Sequence, residues 1–316
     1  MKSRLAEDAP SGQQGSVRAI LYSLGANIAI AIAKLGGAAL TGSGALLAEA
    51  FHSVADSGNE GLLLWGRRQA RAPPSAMHPL GHGRATYFWS FIVALLLFSM
   101  GGVASIYEGL RKFRSVETLQ TPGIALAIIV FAAVAEAVSL YVALKEINTR
   151  RGKRSLWRWF RETRRSELIV LFGENAAALA GLGLALAAVL LTMATGNPVY
   201  DAIGSMAIGA LLVVVALAMG AEIKSLLIGE SAAPAVRRAV RTFLSERPEI
   251  DRVSDLITLQ HGDDVLVAVK AQMRPAQTPR ELMEAIRDCE ADFRTAFPQV
   301  RWVFFEPVLP ARSADR

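Results

Sequence analysis

The chain has 316 residues, of which 52% are hydrophobic and 20% are charged, with a formal net charge of +6. A soluble domain of this size is usually less apolar and more charged, so the composition indicates an integral membrane protein whose environment is the lipid bilayer. Its one cysteine, Cys289, excludes an intramolecular disulfide and a cysteine zinc cluster within one chain, so a metal site must use His, Asp, Glu and Asn.

Residues 1–17 form a polar segment without the hydrophobic core of a signal peptide, and we expect them to be a short cytosolic tail. After this tail come six stretches that are long and apolar enough to cross a hydrocarbon core of about 30 Å as helices. They are residues 18–40, 45–66, 86–110, 122–145, 167–195 and 198–222. The sequence therefore predicts an all-α bundle of six transmembrane helices over residues 18–228.

Basic residues are concentrated in two of the connections, 67–84 and the segment RRGKRSLWRWFRETRR at 150–165, whereas 41–44 and 195–199 hold none. The positive-inside rule places both basic connections, and hence both termini, in the cytosol. Trp157 and Trp159 in the second connection suit an amphipathic turn at the membrane interface. Because the basic residues follow the loops and not one aromatic face, nucleic acid is not expected as a partner.

The chain changes character after residue 228. An amphipathic run from Pro234 to Ser245 precedes RVSDLITLQ, a turn at 261–264 and the alternating segment VLVAVKAQM. A charged helix from Pro279 to Phe297 and a strand VRWVFFEP follow. The pattern predicts an α+β domain of order αββαβ, ferredoxin-like, over residues 229–312.

The second apolar stretch contains four ionisable residues at spacings of three and four, which places them on one helical face: Glu49, His52, Asp56 and Glu60. Each ionisable group at membrane depth costs about 2.5–3.5 kcal/mol, so such a stripe indicates a cavity, a pathway or buried partners. An imidazole and a carboxylate one turn apart are ligands that Zn²⁺ prefers. We therefore predict His52 and Asp56 as metal ligands, the alternative being a structural ion pair.

The fifth stretch contributes Glu174 and Asn175, predicted as the remaining ligands of the site, although either side chain could instead bond between helices. Glu136 in the fourth stretch has three open readings: a proton carrier, a fourth ligand, or the partner of Lys34. Asp201 is expected to be a helix-end residue, and Glu108 to be solvated.

The segment TGSGALLAEAFHSVADSGNE resembles the second-helix signature of the cation diffusion facilitator family, with His52 and Asp56 in its HxxxD positions. The loop HPLGHGR, the segment TGNPVYDAIGSMAIG and the αββαβ tail resemble the same family, most closely the branch of zinc transporter nine. The resemblance implies a homodimeric transporter, not an enzyme, that exports Zn²⁺ in exchange for protons by alternating access. It also implies dimerisation through the tail, with no prosthetic group.

In the family a second HxxxD or DxxxD pair lies in the fifth span, whereas this chain has Leu171 and Asn175, with Glu174 displaced by one residue. A one-residue shift turns a side chain by about 100° around the helix. The fourth ligand is therefore open between Glu174, Glu136 and water. Mn²⁺, Fe²⁺ and Co²⁺ are alternative substrates.

His78 and His82 match two histidines that form a loop metal site in some relatives, while Ser75 stands where the acidic companion would be. A weak loop site and a loop-anchoring role are both open. His261 is expected to lie in a solvated hairpin turn.

Protons and metal are expected to compete for His52, Asp56 and Glu174, because metal binding needs deprotonated ligands. A metal-dependent hydrolase is disfavoured by the lack of an HExxH motif, and a non-transporting scaffold is a further alternative. Glu7 and Asp8 argue against a mitochondrial leader, so a bacterial inner membrane is expected.

Overall fold

A computed structural model of the chain describes residues 13–115, 121–152 and 155–309. Most of the predicted tail, with Glu7 and Asp8, therefore lies outside the described residues, as do Lys153, Arg154 and residues 310–312. The helices are α1 Gln13–Thr41, α2 Gly44–Ala70, α3 Ala85–Leu96, α4 Ala104–Ser115, α5 Pro122–Arg151, α6 Leu156–Glu162, α7 Ser166–Thr195, α8 Val199–Ile228, α9 Pro234–Ser245 and α10 Pro279–Ala296. The strands are β1 Ile250–His261, β2 Asp264–Met273 and β3 Val300–Val308.

Within the described ranges, four helical stretches are long and apolar enough to cross a membrane: Ala85–Arg114, Pro122–Tyr141, Ser166–Thr195 and Val199–Ile228. Their outer faces expose large apolar side chains, such as Phe131 at 63% and Val214 at 64%. Such faces are stable against lipid tails and unfavourable in water. The described apolar part of α1, Asn27–Thr41, is shorter than these four, and α2 carries the ionisable stripe, so their status as spans stays a prediction.

The helices pack closely where glycines replace side chains. The first of the four stretches contains a π-helical segment, Leu97–Val103, between α3 and α4. A side chain at Gly102 would meet the Val213 backbone nitrogen at 3.2 Å and the Gly209 carbonyl at 3.3 Å. This end of α3 and the start of α4 therefore lie directly against the backbone of α8, as small residues permit between membrane helices.

The C-terminal elements confirm the predicted order α9-β1-β2-α10-β3. The strand order is β1-β2-β3, with β1 and β2 antiparallel and β2 and β3 parallel. The parallel pair needs a crossover connection, which α10 supplies. The core joins the inward residues of β2 to α9 and α10, with Phe243, Phe293 and Phe297 forming an aromatic cluster.

His261 in the β1–β2 turn is buried, so the expectation that it is solvated is wrong. His261 is only 6% exposed, and its ring meets Trp302 edge-on at 5.5 Å between centroids. The backbone of Gly83 lies against the His261 carbonyl, and Tyr87 Oη donates a hydrogen bond to Gly262 O at 3.2 Å. Because Gly83 has no side chain, the 81–84 connection can cover the turn.

Candidate metal-ion site

Polar side chains on α2 point into the interior of the helical region. Glu49, His52 and Asn59 are each 0% exposed, and the side chain of Asp56 is 13% exposed. The intervening alanines favour a helix, and spacings of three and four align the polar residues on one face. The predicted stripe is therefore present, and it is turned away from the surface.

His52 and Asp56 are brought together as predicted, with Nδ1 of the imidazole 3.4 Å from Oδ1 of the carboxylate. Among the residues that the structure describes, neither ring nitrogen of His52 has a hydrogen-bond partner, and Asp56 Oδ1 has none either. Buried polar atoms are nearly always hydrogen-bonded, so unsatisfied nitrogen and oxygen atoms side by side need an explanation. A divalent cation is chemically suited to both atoms.

Glu174 reaches α2 through Asn59, whose Nδ2 donates a hydrogen bond of 2.5 Å to Glu174 Oε1. Sequence reasoning missed Asn59 and chose its neighbour Glu60, which accepts a hydrogen bond from Asn27 Nδ2 at 2.9 Å. The spacing held a usable signal, since Asn59 follows Asp56 by three residues and so continues the stripe. An asparagine amide is uncharged, so within an apolar segment it is a weaker signal of a functional site than a carboxylate.

The predicted ligands are not gathered around one point in this conformation. Across the described ranges, no group of three or more His, Cys, Asp and Glu side chains is arranged to hold a metal ion. Glu174 is bonded at the level of Asn59, about 4.5 Å along the axis of α2 from Asp56. Asn175 uses its Nδ2 within its own helix, donating to Leu171 O at 2.7 Å.

Lys34 is the partner of Glu49 and not of Glu136, which corrects one reading of the sequence. Its Nζ donates to Glu49 Oε2 at 3.1 Å and to Ser53 Oγ at 2.7 Å, and both charged groups are fully buried. Glu49 Oε1 lies against Gly181 of α7, where a methyl group would overlap it. Glu136, 9% exposed on α5, is thus left for the proton-carrier or ligand role.

Asp201 of α8 caps the start of α2. Its carboxylate accepts hydrogen bonds from Ser43 Oγ at 2.7 Å and from the backbone nitrogen of Gly44 at 2.6 Å, and Lys112 Nζ lies 3.1 Å from it. Asp201 therefore has the predicted helix-end role, but the helix that it caps is α2 and not its own helix, α8.

Glu108 is not solvated: it is 7% exposed and paired with Arg111 at 2.7 Å, because α4 packs this side inward.

The two loop histidines also lie together, with ring centroids 4.4 Å apart. Their connection is ordered by reciprocal backbone hydrogen bonds between Ser75 and His78, each of 3.1 Å. Ser75 Oγ accepts a further bond from the His78 backbone nitrogen at 3.1 Å. The serine thus serves the turn itself, and a role of His78 and His82 as metal ligands stays a prediction.

Residues 20–228 match the family model described as the cation efflux transmembrane domain. The chain belongs to the cation efflux family. This confirms the resemblance to cation diffusion facilitators, and it explains why apolar helices enclose an ionisable stripe. Members of this family are transporters, which sets aside the hydrolase hypothesis, and the chain is an integral membrane protein.

Several curated relatives of this cation efflux protein carry names that refer to metals. The chain is 30% identical to metal tolerance protein C4 of Arabidopsis thaliana over 248 residues, covering 77% of this chain and 53% of the relative. It is 31% identical to the mitochondrial proton-coupled zinc antiporter SLC30A9 of Xenopus laevis over 224 residues, covering 70% and 40%. It is 27% identical to zinc transporter ZitB of Escherichia coli over 130 residues, covering 41% of each. The chain thus spans about half or less of these relatives.

Proposed function

We propose that the chain exports Zn²⁺ from the cytosol in exchange for protons, by alternating access, with His52, Asp56, Glu174 and Asn175 as metal ligands. The observation that carries the proposal is His52: a fully buried imidazole beside the carboxylate of Asp56, with no hydrogen-bond partner for either ring nitrogen in the described part of the chain. The names of two relatives, a proton-coupled zinc antiporter and a zinc transporter, support the choice of ion.

The coupling follows from the chemistry of these ligands. Metal binding requires a neutral imidazole and ionised carboxylates, so protons and metal exclude each other from the site. A free imidazole changes its protonation between about pH 5 and 8, which makes His52 the natural coupling residue. Glu174 completes the site when its carboxylate moves about one turn along α2 toward Asp56, and the hydrogen bond from Asn59 keeps that carboxylate oriented toward α2 until it does so.

The remaining polar residues of the interior support the pathway. We propose that Glu60 and Glu136 attract cations and relay protons toward the site, because both carboxylates lie inside the helical region. The Lys34–Glu49 pair fixes α1 to α2 next to His52. Two charges that neutralise each other while fully buried keep this part of the interior from attracting a cation on their own.

Six membrane crossings are proposed, with α1 and α2 added to the four apolar stretches. On α1, Ile32 and Leu40 are 65% and 67% exposed, whereas Lys34 is 0% exposed. A helix that is apolar outside and charged inside is unfavourable in water and favourable in lipid.

The transmembrane domain then covers 18–228, between a tail at 1–17 and a ferredoxin-like domain at 229–312. Both termini lie in the cytosol of a bacterial cell, and the ferredoxin-like domain joins two copies into a homodimer.

The test is metal-driven proton flux through the purified chain in proteoliposomes. We expect His52→Ala to abolish both Zn²⁺ uptake and the accompanying proton movement, because it removes a ligand and the coupling group together. Thr192→Val is the matched control: Thr192 is a buried polar residue of α7, and among the described residues its hydroxyl bonds only its own helix, at Ala188 O.

Normal transport by His52→Ala would contradict the assignment of the site. Absence of flux in the wild-type chain, with correctly folded protein in the vesicles, would favour a non-transporting scaffold instead. The same vesicles loaded with Mn²⁺, Fe²⁺ or Co²⁺ in competition with Zn²⁺ identify the preferred ion, because a site with one imidazole and several oxygen ligands admits all four.

A further inference from the structure

An open cavity of about 390 Å³ lies beside the first turns of α9, and four arginines line it: Arg164, Arg237, Arg238 and Arg241. Its remaining walls come from Ser231 and Ala232, in the segment that links α8 to α9, and from Pro234 at the start of α9. The cavity can hold a group much larger than a water molecule, whose share of liquid volume is about 30 Å³. So many guanidinium groups around one cavity select for an anion.

The charges of this cavity are largely uncompensated. Arg164 pairs with Glu230 at 2.8 Å and donates from Nε to Ser231 O at 2.9 Å, so it is fixed in place. Arg237, Arg238 and Arg241 are exposed, and within the described residues none of them forms an ion pair with a carboxylate. Three unpaired guanidinium groups at one cavity repel each other unless an anion joins them.

The start of α9 adds to the positive potential. Its N-terminal turn has no acidic residue, and the capping position, Ala233, provides no side-chain hydrogen bond. Backbone N–H groups at such a start are free to bind an anion, and the helix dipole favours negative charge there. Guanidinium groups and backbone N–H groups together are the donors that phosphate oxygens accept best.

The cavity lies at the ends of two membrane helices. Arg164 comes two residues before α7 begins at Ser166, and the arginines of α9 follow soon after α8 ends at Ile228. The preceding helix α6 exposes Trp157 at 71% and Leu156 at 37%, with the rings of Trp157 and Phe160 stacked at 6.3 Å. Exposed tryptophan beside arginine is typical of residues at the headgroup level of a membrane.

We propose that this cavity binds the phosphate headgroup of an anionic phospholipid, with Arg164, Arg237, Arg238 and Arg241 as its ligands. A lipid is favoured over a free phosphate because a headgroup is already present at this level of the membrane at high local concentration. Bound there, the lipid joins the start of α7 to α9.

The test is native mass spectrometry of the full-length chain in a non-ionic detergent, titrated with phosphatidylglycerol or with phosphatidylcholine of the same acyl chains. We expect the chain to bind phosphatidylglycerol more tightly. Each single change, Arg237→Gln, Arg238→Gln or Arg241→Gln, should weaken that binding about fivefold, and the triple variant roughly a hundredfold. Binding of phosphatidylcholine should stay the same throughout.

The matched control is the triple variant Arg252→Gln, Arg274→Gln, Arg294→Gln, which removes the same charge from exposed positions away from the cavity. It should bind phosphatidylglycerol like the wild type. Equal losses in both triple variants would show a general charge effect and overturn the proposal. Inorganic phosphate is the third arm: if it binds the cavity while both lipids bind alike in all variants, the ligand is a free anion, and the lipid assignment is wrong. The single variants decide the matter if the triple variant fails to fold.

Discussion

Asn59 lies in the interior of the helical region, at a position that suits a metal ligand or a group that orients one. It is 0% exposed, and it gives the carboxylate of Glu174 its hydrogen bond across two helices. Outer partners of this kind fix the orientation of ligating groups and are worth one to two orders of magnitude in metal affinity. We therefore regard Asn59 as a positioning residue for Glu174.

Asn59→Ala should raise the metal concentration needed for half-maximal transport by about tenfold to a hundredfold, because Glu174 loses its fixed orientation. The concentration dependence of Zn²⁺ uptake by proteoliposomes measures this. Ser57→Ala is the control, since Ser57 Oγ bonds only the carbonyl of Ser53 in the same helix. An unchanged concentration dependence in Asn59→Ala would remove Asn59 from the site.

The residues of the site differ in how far sequence could predict them. His52 and Asp56 are separated by one helical turn, so their proximity follows from helix geometry alone. The partners of Lys34 and Glu174 depend on which helix faces which, and spacing within one helix carries no such information. Lys34 bonds Glu49, whereas the sequence alone had left Glu136 open as its partner.

The backbones of α4 and α8 approach each other closely where glycine leaves no side chain between them. A side chain at Gly209 would lie 2.7 Å from the Gly102 carbonyl oxygen and 2.8 Å from the Ile106 backbone nitrogen. These are backbone atoms, which cannot rotate aside as a side chain can. The two helices would have to separate to accept even a methyl group.

Gly209→Ala should lower the free energy of unfolding by about 1–3 kcal/mol, the usual cost of overpacking. Gly220→Ala, on the same helix, has open space around the added methyl group. It should be neutral or stabilising by up to about 1 kcal/mol, since alanine favours helix. Thermal unfolding of both variants in detergent measures the difference, and equal melting temperatures would contradict the close α4–α8 packing.

The hairpin between β1 and β2 should make stability depend on pH. Burial lowers the pKa of His261, with the charge of Arg84 acting in the same direction. The folded chain therefore holds a neutral ring, whereas the unfolded ring titrates near pH 6.5. The contribution of the neutral His261 ring to the free energy of unfolding is therefore complete above about pH 6.5, and it is lost as the pH falls below that value.

Melting temperatures of the wild type and of His261→Gln, measured from about pH 7.5 to pH 5, isolate this contribution because the other histidines are common to both chains. We expect the wild type to lose more stability than the variant over that range. Parallel pH dependence of the two chains would show that His261 does not carry the effect.

The element boundaries show where local pattern is sufficient. The start of α9 at Pro234 and its end at Ser245 were predicted to the residue, because proline starts the helix and polar residues follow the apolar periodicity. The π-helical segment at Leu97–Val103 was not predicted. The wider turn of this segment brings Gly102 against α8. Such packing between helices does not appear as a periodic pattern in an apolar sequence, so the sequence alone cannot predict it.

For the molecule as a whole, polarity is reversed relative to a soluble protein. Charged residues such as Lys34 and Glu49 are fully buried, whereas Leu40, Phe131 and Val214 are more than half exposed. The inversion is what a protein surrounded by lipid requires, and the charges of the connections then predict its orientation. By the positive-inside rule, we expect the basic connections in the cytosol and the 195–199 connection on the outside.

Asn197→Cys should react with a membrane-impermeant maleimide added to intact cells, whereas Arg280→Cys should react only after the membrane is opened. Both positions are exposed, and the native Cys289 is 1% exposed, so its background labelling should be low. Mass spectrometry of the labelled chain gives the result. Labelling of Arg280→Cys in intact cells would reverse the proposed orientation.

The Asp201 cap has a mechanical consequence. Its carboxylate is tied at once to the start of α2 and to Lys112 of α4, so the ends of α2, α4 and α8 are joined by one buried group. Separating α2 from α8 at this end would break the hydrogen bonds that Ser43 and Gly44 donate to this buried carboxylate, each worth about 1.5–3 kcal/mol. Asp201 thus resists separation of α2 from α8 at this end of the two helices.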